Sequence, residues 1–494
     1  MKKEIVIDMS EVETRAALLE EGKVVEFFFE RSTESRLAGS IYKGMVENVL
    51  PGIQSAFVNI GLEKNAFLFI GDMLLEEKRT RKKIEELVKP GQELIVQVAK
   101  EPMGTKGPRV STKISLPGRF VVLIPGIDVV GASHRISSAE ERERLKNLVE
   151  EVRPQRMGII IRTAAEGKSK EEIEEDINQL TRLWTRIQRK ADIIAAPSPL
   201  YEEQSLLYTL VRDVVNEEVV AIWINSYFGY QKLRDFVGSV IPLLEERVKL
   251  FESRENIFDH FSLSQEINKA LSRKVWLKSG GYLVFDRTEA MTVVDVNTGK
   301  FIGKKDIQET ILKTNLEAAE EIARQVRLRD IGGIILIDFI DMGKREHRRQ
   351  VVKSLEESLA CDRTRCTVVE MSELGLVEMT RKRVKKGLDS FLRESCSCCQ
   401  GDGRVLSLET VGVSLLRKLE EICRTTASTT IGFFVGQELG SYLEEKGRVF
   451  IEKLEKIYRK NILWRVDPTL SGRWYTIAGV GEEEEVKEKV EKVV

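Results

Sequence analysis

Two apolar, β-branched runs constrain this chain most, because each carries an acid where a buried strand tolerates none. Met291–Val296 and Ile334–Ile340 sit near the two ends of the stretch Gly281–Met342. Their length, their branching and the turn or helix signals around them predict two buried strands. An isolated carboxylate in such a strand is unfavourable unless something offsets its charge. Side-chain alternation puts Asp295 and Asn297 on one face and Val294 and Val296 on the other. In the second run Asp338 shares a face with Leu336 and Ile340, and Asp341 falls opposite. Hard oxygen donors suit Mg²⁺, so the pattern predicts one Mg²⁺ held by Asp295 and Asp338 and supported by the Asn297 amide. Any one of these acids could instead cap a strand end or pair with Arg or Lys. Two acids in two apolar strands favour the metal.

Between the runs, residues 306–329 predict a helix with Asp306 near its start and Gly332-Gly333 beyond its end. Its expected apolar face is Ile307, Ile311, Ala318, Ile322 and Val326. Lys313, Arg324, Arg327 and Arg329 decorate the remainder. A charge run is usually a solvated face, but three of them, with Gly343–Arg349 and Arg381–Lys386, bracket the acid pair and predict a phosphate track.

At 494 residues the chain has room for three or more domains. With 32% charged and 42% hydrophobic residues its composition is that of a soluble globular protein. A net charge of −1 does not advertise nucleic-acid binding, yet neutrality can hide local basic patches. The N-terminal run is too short and too acidic for a signal peptide, and no apolar stretch reaches membrane-spanning length. A cytoplasmic protein without membrane contact is expected. Six cysteines, three of them within Cys396–Cys399, point to metal rather than disulfides. Three histidines, none beside the acids in sequence, argue against a nuclease that cyclises through a His pair.

Residues 1–35 read as two or three strands around a Glu-Gly-Lys turn, too small to stand alone, and so predict pairing with a later segment. From Gly39 to Ser115 short strands punctuated by glycines predict a small closed barrel. Phe57, Phe67 and Phe69, with Lys43, Lys64, Lys106 and Arg109 around them, suit base stacking and phosphate contact. Filling the barrel core is the competing fate of each Phe. The charged insertion at 74–90 predicts a solvated helix. Arg162-Thr163 at a strand end suits a terminal phosphate, with an Arg fork, a hydroxyl and orphan N–H groups; an Arg paired to its own surface is the alternative. Gly167-Lys168-Ser169 is no P-loop, since Arg162 stands where the first glycine is required. Residues 206–275 read as scaffold, with strands LVRDVV and VVAIWIN. Cys396 and Cys399 form C-x-x-C before G-x-G, half of a tetrahedral thiolate site. No second C-x-x-C exists, so the pair is either a redox couple or one half of a Zn²⁺ site shared by two subunits. From Thr410 a small α/β unit follows, ending in a solvated acidic tail.

The order G-x-V, F-V-x-x-G, A-F-L and a Gly-led hairpin resembles the S1 RNA-binding domain, with Phe57, Phe67 and Lys106 in the matching places. As a whole, from Met1 to about Arg404 and more weakly beyond, the chain resembles ribonucleases of the E/G family, most of all the short, ribonuclease G-type members. VVDVNTGK, TNLEAAEEIARQVRLRDIGGIILIDFIDM and C-x-x-C-x-G-x-G carry the resemblance. It implies an Mg²⁺-dependent endoribonuclease that hydrolyses single-stranded RNA to 5′-phosphate and 3′-hydroxyl products in RNA processing and decay. It also implies metal binding by Asp295 and Asp338 with Asn297 in support, sensing of a 5′-monophosphate by Arg162 and Thr163, and a homodimer joined by Zn²⁺ on Cys396 and Cys399. Whether dimers pair into tetramers is left open. Ser397, where the family usually has Pro, and the added Cys398 depart from the pattern. The implied fold is multidomain α+β: an RNase H-like scaffold split between 1–35 and 206–270, with an S1 (OB-type) barrel at 36–112 and a 5′-sensor at 113–205 inserted. A deoxyribonuclease-like catalytic domain at 271–392, a zinc link at 393–407 and a small domain at 408–494 follow. The alternative function is a non-catalytic RNA-binding assembly factor; a zinc-linked structural oligomer without RNA is a third.

Overall fold

The chain opens with β1 (Lys3–Met9), β2 (Glu13–Glu20) and β3 (Lys23–Arg31), an antiparallel meander. Glu21 and Gly22 turn between β2 and β3 with positive φ of 48° and 75°, as a tight two-residue hairpin requires. The computed structural model describes residues 2–32, 37–74, 83–102, 106–136, 138–203, 205–299, 307–383 and 387–491. The chain divides into two compact units, Met1–Phe391 and Leu392–Val494.

In the first unit the chain leaves the meander to build β4 (Ile41–Leu50), β5 (Ser55–Asn59), β6 (Ala66–Phe69), β7 (Glu93–Lys100) and β8 (Arg109–Ser111). These pair in the order β4-β5-β6-β8-β7, and β7 returns to β4, closing a five-stranded barrel. Val46, Ala56, Val58, Leu68, Val96 and Val110 fill its core. Within the charged insertion, the described part is one turn at Ile84–Leu87 whose Ile84 is buried against the barrel.

β9 (Leu116–Pro117), β10 (Val121–Pro125), β11 (Val130–Ala132) and β12 (Met157–Ile161) form a second sheet in the order β11-β12-β10-β9. Helices Ala139–Val152 and Lys170–Ile193 share its core. Ser169 and Glu172 start the longer helix with a reciprocal capping box. β13 (Ser198–Tyr201) then pairs with β4 at the barrel.

Only afterwards is the opening meander completed. β14 (Val219–Ile224) runs parallel beside β1, and β15 (Val248–Leu250) beside β14, giving the order β15-β14-β1-β2-β3. The run LVRDVV is not a strand. It belongs to helix Leu206–Asp213, whose Leu206, Leu207, Leu210 and Val211 recur at helical spacing on the buried side.

The last sheet of this unit has the order β16-β17-β18-β19-β21-β20, from β16 (Lys274–Trp276), β17 (Tyr282–Arg287), β18 (Met291–Asn297), β19 (Gly333–Asp338), β20 (Cys366–Val368) and β21 (Leu376–Arg381). Helices Ile307–Leu328 and Arg345–Leu359 cover one face, packing Ala318, Ile322, Val326, Val351 and Leu355 on Val294, Val296, Ile335 and Ile337. Asp306 lies outside the described residues. Ile307 is 77% exposed and off the apolar face, while buried Asn315 and Ala319 lie on it.

The second unit holds β22 (Thr430–Val435), buried throughout, between parallel β23 (Asn461–Val466) and antiparallel β24 (Tyr475–Gly481). The acidic end is not merely solvated. Glu483–Glu491 is an amphipathic helix that buries Val486 and Val490 against Phe434. Among the described residues no helix is long and apolar enough to cross a membrane.

Candidate active site

Strand register brings the two acids together. β18 and β19 lie side by side in parallel with Asp295 opposite Asp338, on strands about 4.8 Å apart. Neither acid is buried: both are exposed, and the strands alternate buried and open positions. The expectation of two fully buried strands is therefore corrected. Helices cover this sheet on one side, so Val294, Val296, Ile335 and Ile337 are buried while Val293, Asp295, Leu336 and Asp338 face away from them. What must be offset here is partial desolvation together with like charge. Partial desolvation, then the charges of Asp295 and Asp341, raise the Asp338 carboxyl above its ordinary pKa. Both neighbouring charges are acidic, which is the electrostatic signature of a cation site.

The Asn297 amide donates to Asp295 Oδ2 at 2.7 Å, fixing that carboxylate. The turn after it needs Gly299: its φ is +60°, and a Cβ there would stand 2.4 Å from the Gly280 carbonyl oxygen. The alternation expected to put Asp341 opposite Asp338 does not reach it. β19 ends at Asp338, the period of two ends with it, and Asp341 is exposed with its charge acting on Asp338. Asn315 was missed altogether. Fully buried on the helix, it accepts from the Ile340 N–H at 3.2 Å and donates to the Ile340 carbonyl at 2.8 Å, pinning the segment just after Asp338. Its signal was an amide at the i+4 position of a face carrying Ile311, Ala318 and Ile322.

Three cations of the expected phosphate track are committed to the protein itself, whereas Lys344, Arg345 and Arg349 of the middle run are exposed. Arg327 is a buried partner of Glu20, at 2.9 and 3.0 Å. Arg324 binds Glu321 and the Val24 carbonyl, and Arg381 is buried between Asp330 and Asp362. These cations fasten the helix and the sheet that carry the two acids. Residues 384–386 of the last run lie outside the described residues.

On the barrel, Phe57 and Phe67 are register partners with ring centroids 6.1 Å apart at 66°. Both are half-buried and absent from the barrel core, so they face outward. Lys106 is exposed. Lys43 and Arg109 are committed instead, to Glu93 at 2.7 Å and Asp72 at 2.7 Å.

At the end of β12, Arg162 donates to the Gly118 carbonyl and pairs with Asp213 at 2.7 Å, so the guanidinium is turned to its own protein. Burial alone would raise the Asp213 carboxyl, but Arg212 and Arg162 outweigh it and lower its pKa. Thr163 is exposed, and its hydroxyl lies 3.2 Å from that of Ser133.

In the second unit, backbone N–H groups of Cys399 and Cys398, with the Cys399 thiol, hold the exposed Cys396 thiol below its ordinary pKa. Gln400, Gly401 and Gly403 turn the chain with positive φ just beyond. Among the described residues no cluster of three or more His, Cys, Asp or Glu could hold a metal alone. Asp295 and Asp338 as a pair still fit Mg²⁺, which takes one or two carboxylates with water and substrate phosphate.

The profile of the Ribonuclease E/G family matches residues 115–384, and that of the RNase E/G thioredoxin-like domain matches residues 395–480. Ribonuclease G of Escherichia coli K12 is 41% identical over 477 residues, covering 95% of this chain and 98% of the relative. Ribonuclease G of Haemophilus influenzae is 40% identical over 93% of this chain and 96% of its own. Ribonuclease E of a Nostoc species is 41% identical over 83% of this chain and 60% of its own length.

Proposed function

This chain belongs to the ribonuclease E/G family, and from that premise we propose that it is an endoribonuclease which cleaves single-stranded RNA by Mg²⁺-dependent hydrolysis. The observation that carries the reading is the register pairing of Asp295 with Asp338 on the open sheet face, beside Asn297. Asp295 and Asp338 would hold one Mg²⁺. Bound there, Mg²⁺ supplies charge neutralisation at the scissile phosphate and acidification of water, chemistry that needs no His or Cys nucleophile. Asn297 keeps the Asp295 carboxylate oriented. Asn315 fixes the backbone from which Asp338 projects. The products on this reading carry 5′-phosphate and 3′-hydroxyl ends.

Phe57 and Phe67 offer outward rings for bases, and Lys106 a cation for the phosphate between them. Thr163, with the N–H groups of the turn that follows it, forms the open part of a 5′-monophosphate pocket; Arg162 would exchange Asp213 for the phosphate. The order β3-β2-β1-β14-β15 supports an RNase H-like scaffold split by the barrel and sensor. Cys396 and Cys399 would meet the same pair of a second copy on one Zn²⁺, because each chain presents half of a tetrahedral set. Six free cysteines suit the reducing cytoplasm.

Asp295→Asn and Asp338→Asn test the metal site. Each is expected to lower cleavage of a labelled single-stranded RNA by about a thousandfold or more, while gel retardation of the same RNA is preserved. Full activity in both variants would remove the assignment.

A further inference from the structure

We propose that Trp276, Tyr282 and Lys274 form a nucleobase subsite on the open face of the catalytic sheet, stacking a base of the strand whose phosphate lies at Asp295 and Asp338. The inference rests on the nuclease reading and extends it to a residue that positions substrate.

Register places the three beside the acids. Trp276 is opposite Tyr282, and Tyr282 is opposite Asn297, so the three share one row across β16, β17 and β18. The next row runs Lys274, Val284, Asp295, Asp338, Leu376. Directly opposed residues share a face, and the intervening Leu283, Val294, Val296 and Ile337 are buried on the other side. Tyr282 is therefore the diagonal neighbour of Asp295, about 7–8 Å away.

The chemistry of the row is that of a stacking platform. Trp276 is 61% exposed, and no apolar core claims it. Its ring stands 5.3 Å from Tyr282 at 61°, an edge-to-face pair that holds the indole in place. The Lys274 ammonium lies 3.4 Å from the Tyr282 ring centroid and 4.1 Å from that of Trp276. Its neighbour Arg273 is occupied by Asp286, whereas Lys274 has no carboxylate partner among the described residues. A rigid indole beside a cation, one sheet position from two exposed acids, fits a base and its phosphate continuing from the cut. An acidic or purely apolar partner fits less well, because acid would meet Asp295 and Asp338, and apolar surface would desolvate Lys274.

The test uses the whole chain and a series of single-stranded RNAs with one cut site, each bearing one abasic nucleotide at a different position. Trp276→Ala is expected to lower kcat/KM on intact RNA by roughly tenfold, the usual scale of one base–aromatic stack, and Trp276→Phe to restore most of it. At one abasic position the wild-type chain should fall to the rate of the alanine variant, and that variant should lose nothing further. Melting temperature should not move, since the indole is exposed. Wild-type rates for Trp276→Ala on every RNA, or a loss that adds undiminished to the abasic loss at every position, would overturn the subsite. RNA left uncut by the wild-type chain would instead remove the nuclease reading, and the subsite with it.

Discussion

Asp338 carries the consequence of partial desolvation and of two acids as neighbours. Its folded-state pKa lies above the ordinary carboxylate value, so the folded chain holds that proton more readily than the unfolded one. For an acid shifted this way stability falls as pH rises through the window between the two values, and the full penalty is present above the folded one. Asp338→Asn is thus expected to raise the melting temperature at neutral pH in EDTA, on the order of 1–2 °C. Mg²⁺ should stabilise the wild-type chain and leave the variant unmoved. Identical melting curves for the two, with and without Mg²⁺, would count against mutual repulsion at this site. The same shift predicts that on acidification the metal-free site takes up its proton before an ordinary carboxylate would, which the pH dependence of Mg²⁺ binding would show. Asp295, Asn297 and Asp338 were legible because a charge or amide in a β-branched run breaks the pattern. Asp341 was not legible in the same way, because alternation holds only as far as the strand does. Asn315 showed only as an amide on an apolar helix face, since its partner is a backbone group that sequence does not reveal.

Among the elements, the barrel and the long helix give opposite lessons about polar and aromatic side chains. Phe57 and Phe67 face out, so either one changed to Ala should weaken single-stranded RNA binding roughly five- to tenfold with little effect on stability. Leu68, next to Phe67 and fully buried in the barrel core, should cost about 2–5 kcal/mol on the same change. Binding unaffected by both phenylalanine changes would return the rings to a structural role. On the helix, Arg327→Met leaves Glu20 buried without its partner and should cost about 3–5 kcal/mol in urea unfolding. A loss under 1 kcal/mol would show that Glu20 finds water. The run of cations was plain in the sequence, but which acid each would meet was not. Glu20 is 307 positions from Arg327 along the chain, and only the fold of the β2–β3 hairpin against that helix makes them neighbours.

For the whole molecule, the meander at the N-terminus announced that its partner must come later, since three short strands cannot enclose a core; the sequence did not say where. LVRDVV was misread because a short apolar run does not distinguish strand from helix. On the proposed zinc link Cys396 and Cys399 are one half of a site shared by two copies, which predicts about half a zinc per chain and a dimer that dissociates on chelation, measurable by metal analysis and sedimentation. One zinc per isolated monomer would contradict it. The claim on which everything else depends is that this fold cuts RNA at two paired acids. The most direct measurement incubates 5′-labelled single-stranded RNA with the wild-type chain in Mg²⁺, in EDTA, and with the Asp295→Asn, Asp338→Asn double variant in Mg²⁺. The account predicts internal cuts with 3′-hydroxyl ends in the first tube alone, and RNA bound but intact in the others. Cutting that persists in EDTA or in the double variant would contradict it.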